Sequence, residues 1–454
     1  MTLSPPLLSA FDPEISAEGG IDPLSLSATY ERLAERIFPF MTVRMSRPRF
    51  VTAMAVGAAV CQDFGDDLAA DGKTPAWLAF EWHVIEAFFR AGDRFRASDG
   101  GWGVRVPGVM KVRAAVDAGH RIGAGMYLKT PRIFGFTGIY RRLALGLDIL
   151  DEDLHLMEGG FELLRAWEAE RNLQGFLAGT GMGGDFRREL VRAVGQAMKS
   201  GSTCQTGTWS GWERIAEHLR PDGARLREQR VLADRLCRTD VRQNPHDSAA
   251  TAVRSELIVA LAKRGQSVAS EEEARWFRSL RKTSSPALAE RLDAIHAYEE
   301  VCALVLDAFN LVRHLSTRGG AEATSEDFRS FQGARDATAM VSRLPEALER
   351  LERSFGVVGF QSQAEPLLDR FGGTRTADEL FARVMEHHDA GQRAKPPDGK
   401  RSWFDSCSTR GGEGVFVRAR YRLPELLSHE GRYTHPYRAA TASSFLRDLR
   451  KLPS

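Results

Sequence analysis

The sequence lacks the cysteine pairs, long apolar runs and charge imbalance that mark several classes of protein. Its five cysteines lie far apart and form no Cys-x-x-Cys pair, which argues against a disulfide framework or a zinc ribbon. No run of eighteen apolar residues and no basic, apolar leader is present, so we expect no membrane span, no secretory signal and a cytoplasmic location. The formal net charge is only +2, so binding to a polyanion would have to depend on local patches.

Catalytic signatures are also missing. The chain contains no Gly-x-Ser-x-Gly nucleophile elbow and no His-x-Lys pair. The glycine-rich residues 176–184, FLAGTGMGG, lack the Lys and Ser/Thr of a phosphate loop, so a linker is the better interpretation. His387 and His388 are adjacent, and neighbouring side chains on a helix point about 100° apart, which disfavours a shared metal. We therefore predict no catalytic residue, no metal and no cofactor.

The chain is 454 residues long and 43% apolar, which is enough for roughly two to four hydrophobic cores. Most of it shows helical periodicity, so we predict a mainly α, multi-domain protein with a small basic C-terminal β/α segment. Changes in composition suggest four segments, which are an N-terminal arm and helical domain (1–105), a winged-helix-like domain (106–175), a helical bundle (176–395) and a basic C-terminal segment (396–454).

Residues 125–171 have the most informative order of predicted elements. Apolar residues recur at helical spacing over 138–150 and share one face: Ile139, Leu143, Leu147 and Leu150. The residues DLHLM then alternate as in a strand, Glu-Gly-Gly suggests a turn, and a second amphipathic helix follows. This order resembles a winged helix, although a helix stands where the second wing strand belongs. A plain helical hairpin is the alternative.

Two adjacent arginines, Arg141 and Arg142, fall outside that apolar face, where a recognition helix carries its DNA contacts. Lys129 and Arg132 precede them and are predicted to reach flanking phosphates. Residues 111–142 contain seven Lys or Arg against one acid, whereas residues 148–171 contain two against eight. Such a basic face could bind a polyanion, and a solvated surface is the alternative.

The C-terminal segment is predicted to supply a second basic surface. Residues 393–451 contain thirteen Lys or Arg against six acids, a net of +7, with aromatic residues between them. Val415, Val417, Ala419 and Tyr421 alternate with a mostly basic set that predicts one face of a strand: Phe416, Arg418, Arg420 and Arg422. This pattern is typical of nucleic-acid surfaces, and it also suits an acidic protein partner or a solvated tail.

The runs IDPLSLSATYERLAERIFPFMTVRMSRPRF and YLKTPRIFGFTGIYRRLALGLDIL resemble uncharacterised bacterial proteins that are encoded beside helicases and nucleases in antiphage-defence gene clusters. The resemblance covers about the first 170 residues and implies a defence component that acts with partner proteins such as a helicase or nuclease. It carries over no catalytic residue. We expect a DNA-binding or adaptor subunit without enzymatic activity.

Two other functions stay open from the sequence. The first is a helical scaffold that binds a partner enzyme and whose arginines are structural. The second is a hydrolase or nuclease whose site is assembled in the tail from His429, His435 and Asp405. Sequence spacing alone does not bring these three side chains together.

Overall fold

The computed structural model describes residues 22–91, 106–239, 247, 249–318, 322–333, 336–396, 398–409, 412–426 and 431–451. These residues are mainly helical, which confirms the predicted fold class. The predicted N-terminal arm falls largely on residues 1–21, which lie outside the described residues.

The elements follow one another along the chain. Within the described residues, the helices in the first half of the chain are α1 (Ser27–Ile37), α2 (Phe50–Cys61), α3 (Ala76–Ala91), α4 (Val109–Asp117), α5 (Pro131–Phe134), α6 (Phe136–Gly146), α7 (Glu158–Glu170), α8 (Gly181–Ser200), α9 (Gly211–Leu219) and α10 (Leu226–Cys237). They are followed by α11 (Ala250–Arg264), α12 (Glu273–Leu280), α13 (Pro286–Thr317), α14 (Ser325–Ser330), α15 (Ala337–Val358), α16 (Gln361–Phe371), α17 (Ala377–Arg393), the strands β1 (Phe404–Thr409) and β2 (Gly412–Val417), and α18 (Ala439–Asp448). None of the described helices combines the length and apolarity needed to cross a membrane.

The chain forms two compact units, and neither is continuous in sequence. Unit 1 comprises Met1–Ile37 and Ala269–Tyr437, and unit 2 comprises Phe38–Val268 and Arg438–Ser454. The four segments suggested by composition stay a prediction, because the units group the chain differently. Both sides of the boundary near residue 175 belong to unit 2, and both sides of the boundary near residue 395 belong to unit 1.

The core of unit 2 is built on α2 and α3. Helix α2 is apolar on all sides, and such a helix is stable only when it is buried on most of its surface. Its Gly57 allows close packing, because a Cβ there would lie 2.8 Å from the ring of Phe80 on α3. Helix α3 in turn buries Trp82 and packs against α8 and α9.

The core of unit 1 is built on α13, the longest of the described helices. Pro286 starts it, and the Ser285 side chain caps it by accepting a hydrogen bond from the Leu288 amide at 3.3 Å. Helix α15 packs along α13, with Tyr298 stacked on Phe355 at a ring distance of 5.9 Å. Strands β1 and β2 form an antiparallel pair in which Phe404 faces Val417.

The structure differs from the predicted wing. The DLHLM segment forms a single antiparallel bridge between Leu150 and Leu156, and the predicted Glu-Gly-Gly turn is instead the first turn of α7. The glycines serve a different purpose there. A Cβ on Gly160 would overlap the Ile149 carbonyl, and a Cβ on Gly159 would lie 2.6 Å from the Asp148 carbonyl. They let the start of α7 approach the preceding backbone closely.

The predicted basic strand in the tail is also shorter than expected. Strand β2 ends at Val417, whose amide donates to Ser316 Oγ at 2.7 Å, and residues 419–421 form a 3₁₀ turn. Tyr421 stacks on Trp403 at a ring distance of 4.1 Å, and this contact is made from the turn. The prediction of one alternating basic face through Arg422 was therefore wrong.

Candidate functional site

Unit 2 contains a pocket of about 600 Å³ beside the start of α6. Its floor comes from α2 and α3, including Gly57 and Phe80, and its rim comes from α5, α6 and the turn between Leu150 and Leu156. This volume lies within the range of small-molecule and nucleotide sites. We call it the arginine pocket and define it by six of its lining residues: Trp77, Phe80, Arg132, Arg141, Asp153 and His155.

Arg141 lies at this rim because the positions beside it on α6 are buried. Tyr140, Leu143 and Ala144 have no exposed surface, so the helix docks through them and leaves Arg141 exposed. The Arg141 guanidinium also donates a hydrogen bond to the Glu152 carbonyl, which links α6 to the following turn.

The turn opposite Arg141 carries acidic side chains, and one of them accepts hydrogen bonds from amides of the same turn. Asp151 Oδ1 accepts hydrogen bonds from the amides of Asp153 at 2.9 Å and His155 at 2.8 Å. Burial acts to raise the pKa of Asp151, but these hydrogen bonds outweigh it and hold the pKa below its ordinary value. The carboxylate is therefore charged at neutral pH.

This turn is also where a metal could be held. Among the described residues, Asp151, Asp153 and His155 place their ligand atoms within 4.8 Å of one another. Oxygen and imidazole ligands of this kind suit a divalent cation. The His155 Nδ1 atom, however, already lies 3.2 Å from Asp151 Oδ2, so a cation would have to replace that contact.

Glu81, behind the pocket, anchors the start of α6. It has no exposed surface, and it accepts hydrogen bonds from Tyr127 Oη at 2.7 Å and from the Thr137 amide at 2.9 Å. Burial raises the pKa of Glu81 to about 7, against these hydrogen bonds. His83 and Glu86 have separate partners on Gln205 and Arg90, so the three side chains form no common site.

The structure brings two of the predicted DNA-contacting residues, Arg132 and Arg141, to one pocket, and both are exposed. Lys129 is exposed three residues before Arg132, while Arg142 is half-buried. The remaining predicted contacts belong to unit 1, where Arg420 and Arg422 are exposed.

Arg418, also predicted to bind nucleic acid, is held by an acid. Its Nη2 atom lies 3.1 Å from Asp405 Oδ1, and the same oxygen lies 2.8 Å from Arg401 Nη2. Hydrogen bonding to Arg418 holds the pKa of Asp405 below its ordinary value, so the carboxylate stays charged and offsets one of the two positive charges that contact it.

The tail histidine that the structure describes is paired with a glutamate. His435 Nδ1 lies 2.7 Å from Glu299 Oε1, and His429 lies outside the described residues. Asp405 and His435 are thus each bound to a different partner, and the structure does not pair them with each other.

We expect the Glu299–His435 pair to make stability depend on pH. Burial acts to lower the pKa of His435, but Glu299 outweighs it and raises the pKa above 6.5. The pKa of Glu299 is lowered below 4.5, since His435 and its other donors outweigh the effect of burial. The pair therefore stabilises unit 1 most between pH 4.5 and 6.5, and the effect declines as pH rises through the pKa of His435.

Urea unfolding of wild type and His435→Gln from pH 4.5 to 9 measures this contribution. The difference in the free energy of unfolding between the two proteins should be largest at about pH 5 to 6, which lies between the ordinary pKa values of glutamate and histidine. It should shrink as the pH rises above that range. A difference that stays constant over the whole range would contradict the prediction.

The adjacent histidines of α17 have structural roles. His388 Nδ1 lies 2.7 Å from the Pro23 carbonyl, and its Nε2 accepts a hydrogen bond from the Trp403 amide at 2.9 Å. Burial lowers the pKa of His388 to about 4, so the ring is neutral and has both nitrogens occupied. His387 contacts the neighbouring backbone through its other ring nitrogen, Nε2, which lies 2.8 Å from the Leu24 carbonyl.

The chain matches no protein-family model, no curated protein and no solved structure. The half of the arginine pocket that α2 and α3 supply was not predicted from the sequence, because Met54, Cys61 and Trp77 follow the pattern of core residues. Gly57, a lone glycine inside an apolar helix, was the signal that something packs closely there.

Proposed function

We propose that this protein binds nucleic acid through the arginine pocket and the adjoining end of α6, as a DNA-binding or adaptor subunit. The observation that carries the proposal is that Arg132 and Arg141, from two different helices, border one pocket and are both exposed. Arginine is the side chain best suited to phosphate, because its planar guanidinium donates two parallel hydrogen bonds.

We infer that this surface binds in the manner of a small winged helix. In this proposal α6 acts as the recognition helix, and the bridged turn between Leu150 and Leu156 acts as a reduced wing. Lys129 and Arg132 contact phosphates on one side of α6. The acidic turn at Asp151 and Asp153 repels phosphate, so the backbone of the nucleic acid must run along the side of the pocket where Lys129 and Arg132 lie.

The pocket offers more than charge. Trp77 is half-buried in its wall and His155 is exposed on its rim, so a base extruded from the strand could pack against either ring. This favours a nucleic acid with at least one unpaired nucleotide over a fully paired duplex. Arg420 and Arg422 in unit 1 would add phosphate contacts of lower specificity.

The resemblance to proteins of antiphage-defence clusters suggests the setting. There the protein would act in the cytoplasm with a helicase or nuclease, and it would hold nucleic acid while the partner carries out the chemistry. Capture of such a partner tests this part separately from DNA binding.

Replacing Arg132 and Arg141 together with alanine should weaken binding to labelled DNA about tenfold or more, because each loses a charge-assisted hydrogen bond. The affinity should be measured across a salt series on duplex and on single-stranded DNA. The slope of log affinity against log salt should become shallower by about 1.8 for duplex, if each arginine neutralises one phosphate.

Arg165→Ala is the matched control, since Arg165 is exposed on α7 in the same unit and does not line the pocket. Equal affinities for the wild type and the double variant would remove the arginine pocket from the function. No binding of wild type even at low salt would favour the helical scaffold instead.

A further inference from the structure

The loop that carries two of the proposed phosphate contacts is fastened at both ends to one buried side chain. Tyr127 and Thr137 bracket Lys129 and Arg132, and both donate hydrogen bonds to Glu81, Tyr127 to Oε1 at 2.7 Å and Thr137 to Oε2 at 2.9 Å. The two oxygens of Glu81 thus close a loop whose exposed middle bears the basic side chains. We call this arrangement the Glu81 clamp.

The surroundings leave the clamp little freedom. A Cβ on Gly135 would overlap Glu81 Oε1, and a Cβ on Gly108 would overlap Tyr127 Oη. A Cβ on Gly138 would overlap the carbonyl of Arg132, so the first turn of α6 lies directly against the backbone that carries this arginine. A shift at the carboxylate is therefore passed on to the position of Arg132.

The clamp also replaces a missing cap. Helix α6 starts after Gly135, which has no side chain to accept a hydrogen bond from the first amides. The carboxyl group of Glu81 accepts one from the Thr137 amide instead, and so satisfies a donor that the helix itself leaves without a partner. The direction of α6, and with it the placement of Arg141, depends on the same contact.

We propose that Glu81 is a positioning residue for nucleic-acid binding, which holds Lys129 and Arg132 where they meet the phosphates through its hydrogen bonds to Tyr127 and Thr137. The inference rests on the proposed function and deepens it, because it assigns a role in binding to a residue that never touches the ligand. A carboxylate with a purely structural role would affect stability, and its effect on binding would not depend on those two basic residues.

A double-mutant cycle separates these roles. Tyr127→Phe removes one hydroxyl from the clamp and keeps the ring. In the wild-type background it should weaken DNA binding about fivefold, and in a Lys129→Ala/Arg132→Ala background it should change the affinity less than about twofold. Affinities are measured by fluorescence anisotropy with a labelled DNA that contains an unpaired stretch, at low salt, where the background variant still binds through its other contacts.

Tyr437→Phe is the matched control, because Tyr437 is a buried tyrosine in unit 1 that donates to a buried glutamate, Glu299, at 2.8 Å. It should leave DNA affinity unchanged. Thermal unfolding checks that every variant is folded. If Tyr127→Phe unfolds, Glu81→Gln takes its place, because it keeps the side-chain volume and loses one acceptor of the clamp.

The outcomes distinguish the inference from the function on which it rests. A smaller effect of Tyr127→Phe once Lys129 and Arg132 are gone supports the clamp. An equal effect in both backgrounds overturns the clamp and leaves the proposed function standing. An unchanged affinity of the Lys129→Ala/Arg132→Ala variant relative to wild type overturns both.

Discussion

Replacing Glu228 with alanine should lower the free energy of unfolding of unit 2 by about 3–5 kcal/mol, which is typical when one partner of a buried ion pair is removed. Glu228 has no exposed surface, and its Oε1 atom accepts hydrogen bonds from Arg49 Nε at 2.8 Å and from Thr52 Oγ1 at 2.7 Å. Without it, the Arg49 guanidinium stays buried, at 1% exposure, without a counter-charge. Urea unfolding followed by circular dichroism measures the change.

Arg49 makes further hydrogen bonds, and a second variant tests its pairing with Glu228. Arg49 also donates to the backbone carbonyls of His218 and Arg220, so it ties the start of α2 to the last turn of α9 and to the residue that follows it. The double variant Arg49→Met/Glu228→Gln should lose less stability than the sum of the two single changes, because no charge is left unpaired. Additive losses would argue against the pairing.

A half-exposed carboxylate in the same unit is the control. Glu162 pairs with the buried Arg235 but is itself 52% exposed, and Arg235 keeps a second partner in Asp148 at 3.1 Å. Glu162→Ala should therefore cost only about 0–1 kcal/mol. A loss as large as that of Glu228→Ala would show that burial does not set the difference.

The second large effect is expected at Glu299 in unit 1. Glu299→Ala should destabilise this unit by about 3–5 kcal/mol, because the carboxylate is buried and holds the segment before α18 through several donors. These donors are Tyr437 Oη, His435 Nδ1, Thr434 Oγ1 and the Thr434 amide. The amides of residues 433–437 should exchange their hydrogens faster in the variant than in the wild type. Urea unfolding of the variant should have a lower midpoint.

The neighbouring residue gives a control on the same helix. Glu300 is half-exposed and pairs with Arg350 at 2.7 Å. Glu300→Ala should change the free energy of unfolding by about 0–1 kcal/mol and leave exchange at residues 433–437 as it was. If Glu299→Ala behaved like this control, the segment would have to be held by its aromatic contacts rather than by the carboxylate.

The sequence was sufficient to predict the helices but not their partners. The mainly α fold followed from helical periodicity, which is a local property of the chain. Two arginines show why the packing partners could not be predicted. Arg49 and Arg141 are chemically alike, yet Arg49 is buried because Glu228 meets it from 179 residues away. Nothing near Arg49 in sequence carries that information.

Glycine caused the clearest error for a similar reason. A glycine pair predicts a turn when only neighbours along the chain are considered. At Gly159 and Gly160 the deciding neighbours are the carbonyls of Asp148 and Ile149, which only the folded chain brings against α7. The same holds for Glu81, whose hydrogen-bond partners Tyr127 and Thr137 lie 46 and 56 residues away.

The discontinuous make-up of the two units has a consequence for synthesis on the ribosome. Helix α1 emerges early, but its partner α13, whose Tyr298 hydroxyl donates to the Leu26 carbonyl at 2.6 Å, lies beyond the whole of Phe38–Val268. At ordinary rates of translation this interval lasts roughly 10–50 s. During that time the apolar face of α1, which carries Leu33 and Ile37, lacks the helix α13 that packs against it. The nascent chain should therefore depend on chaperones until α13 has been translated.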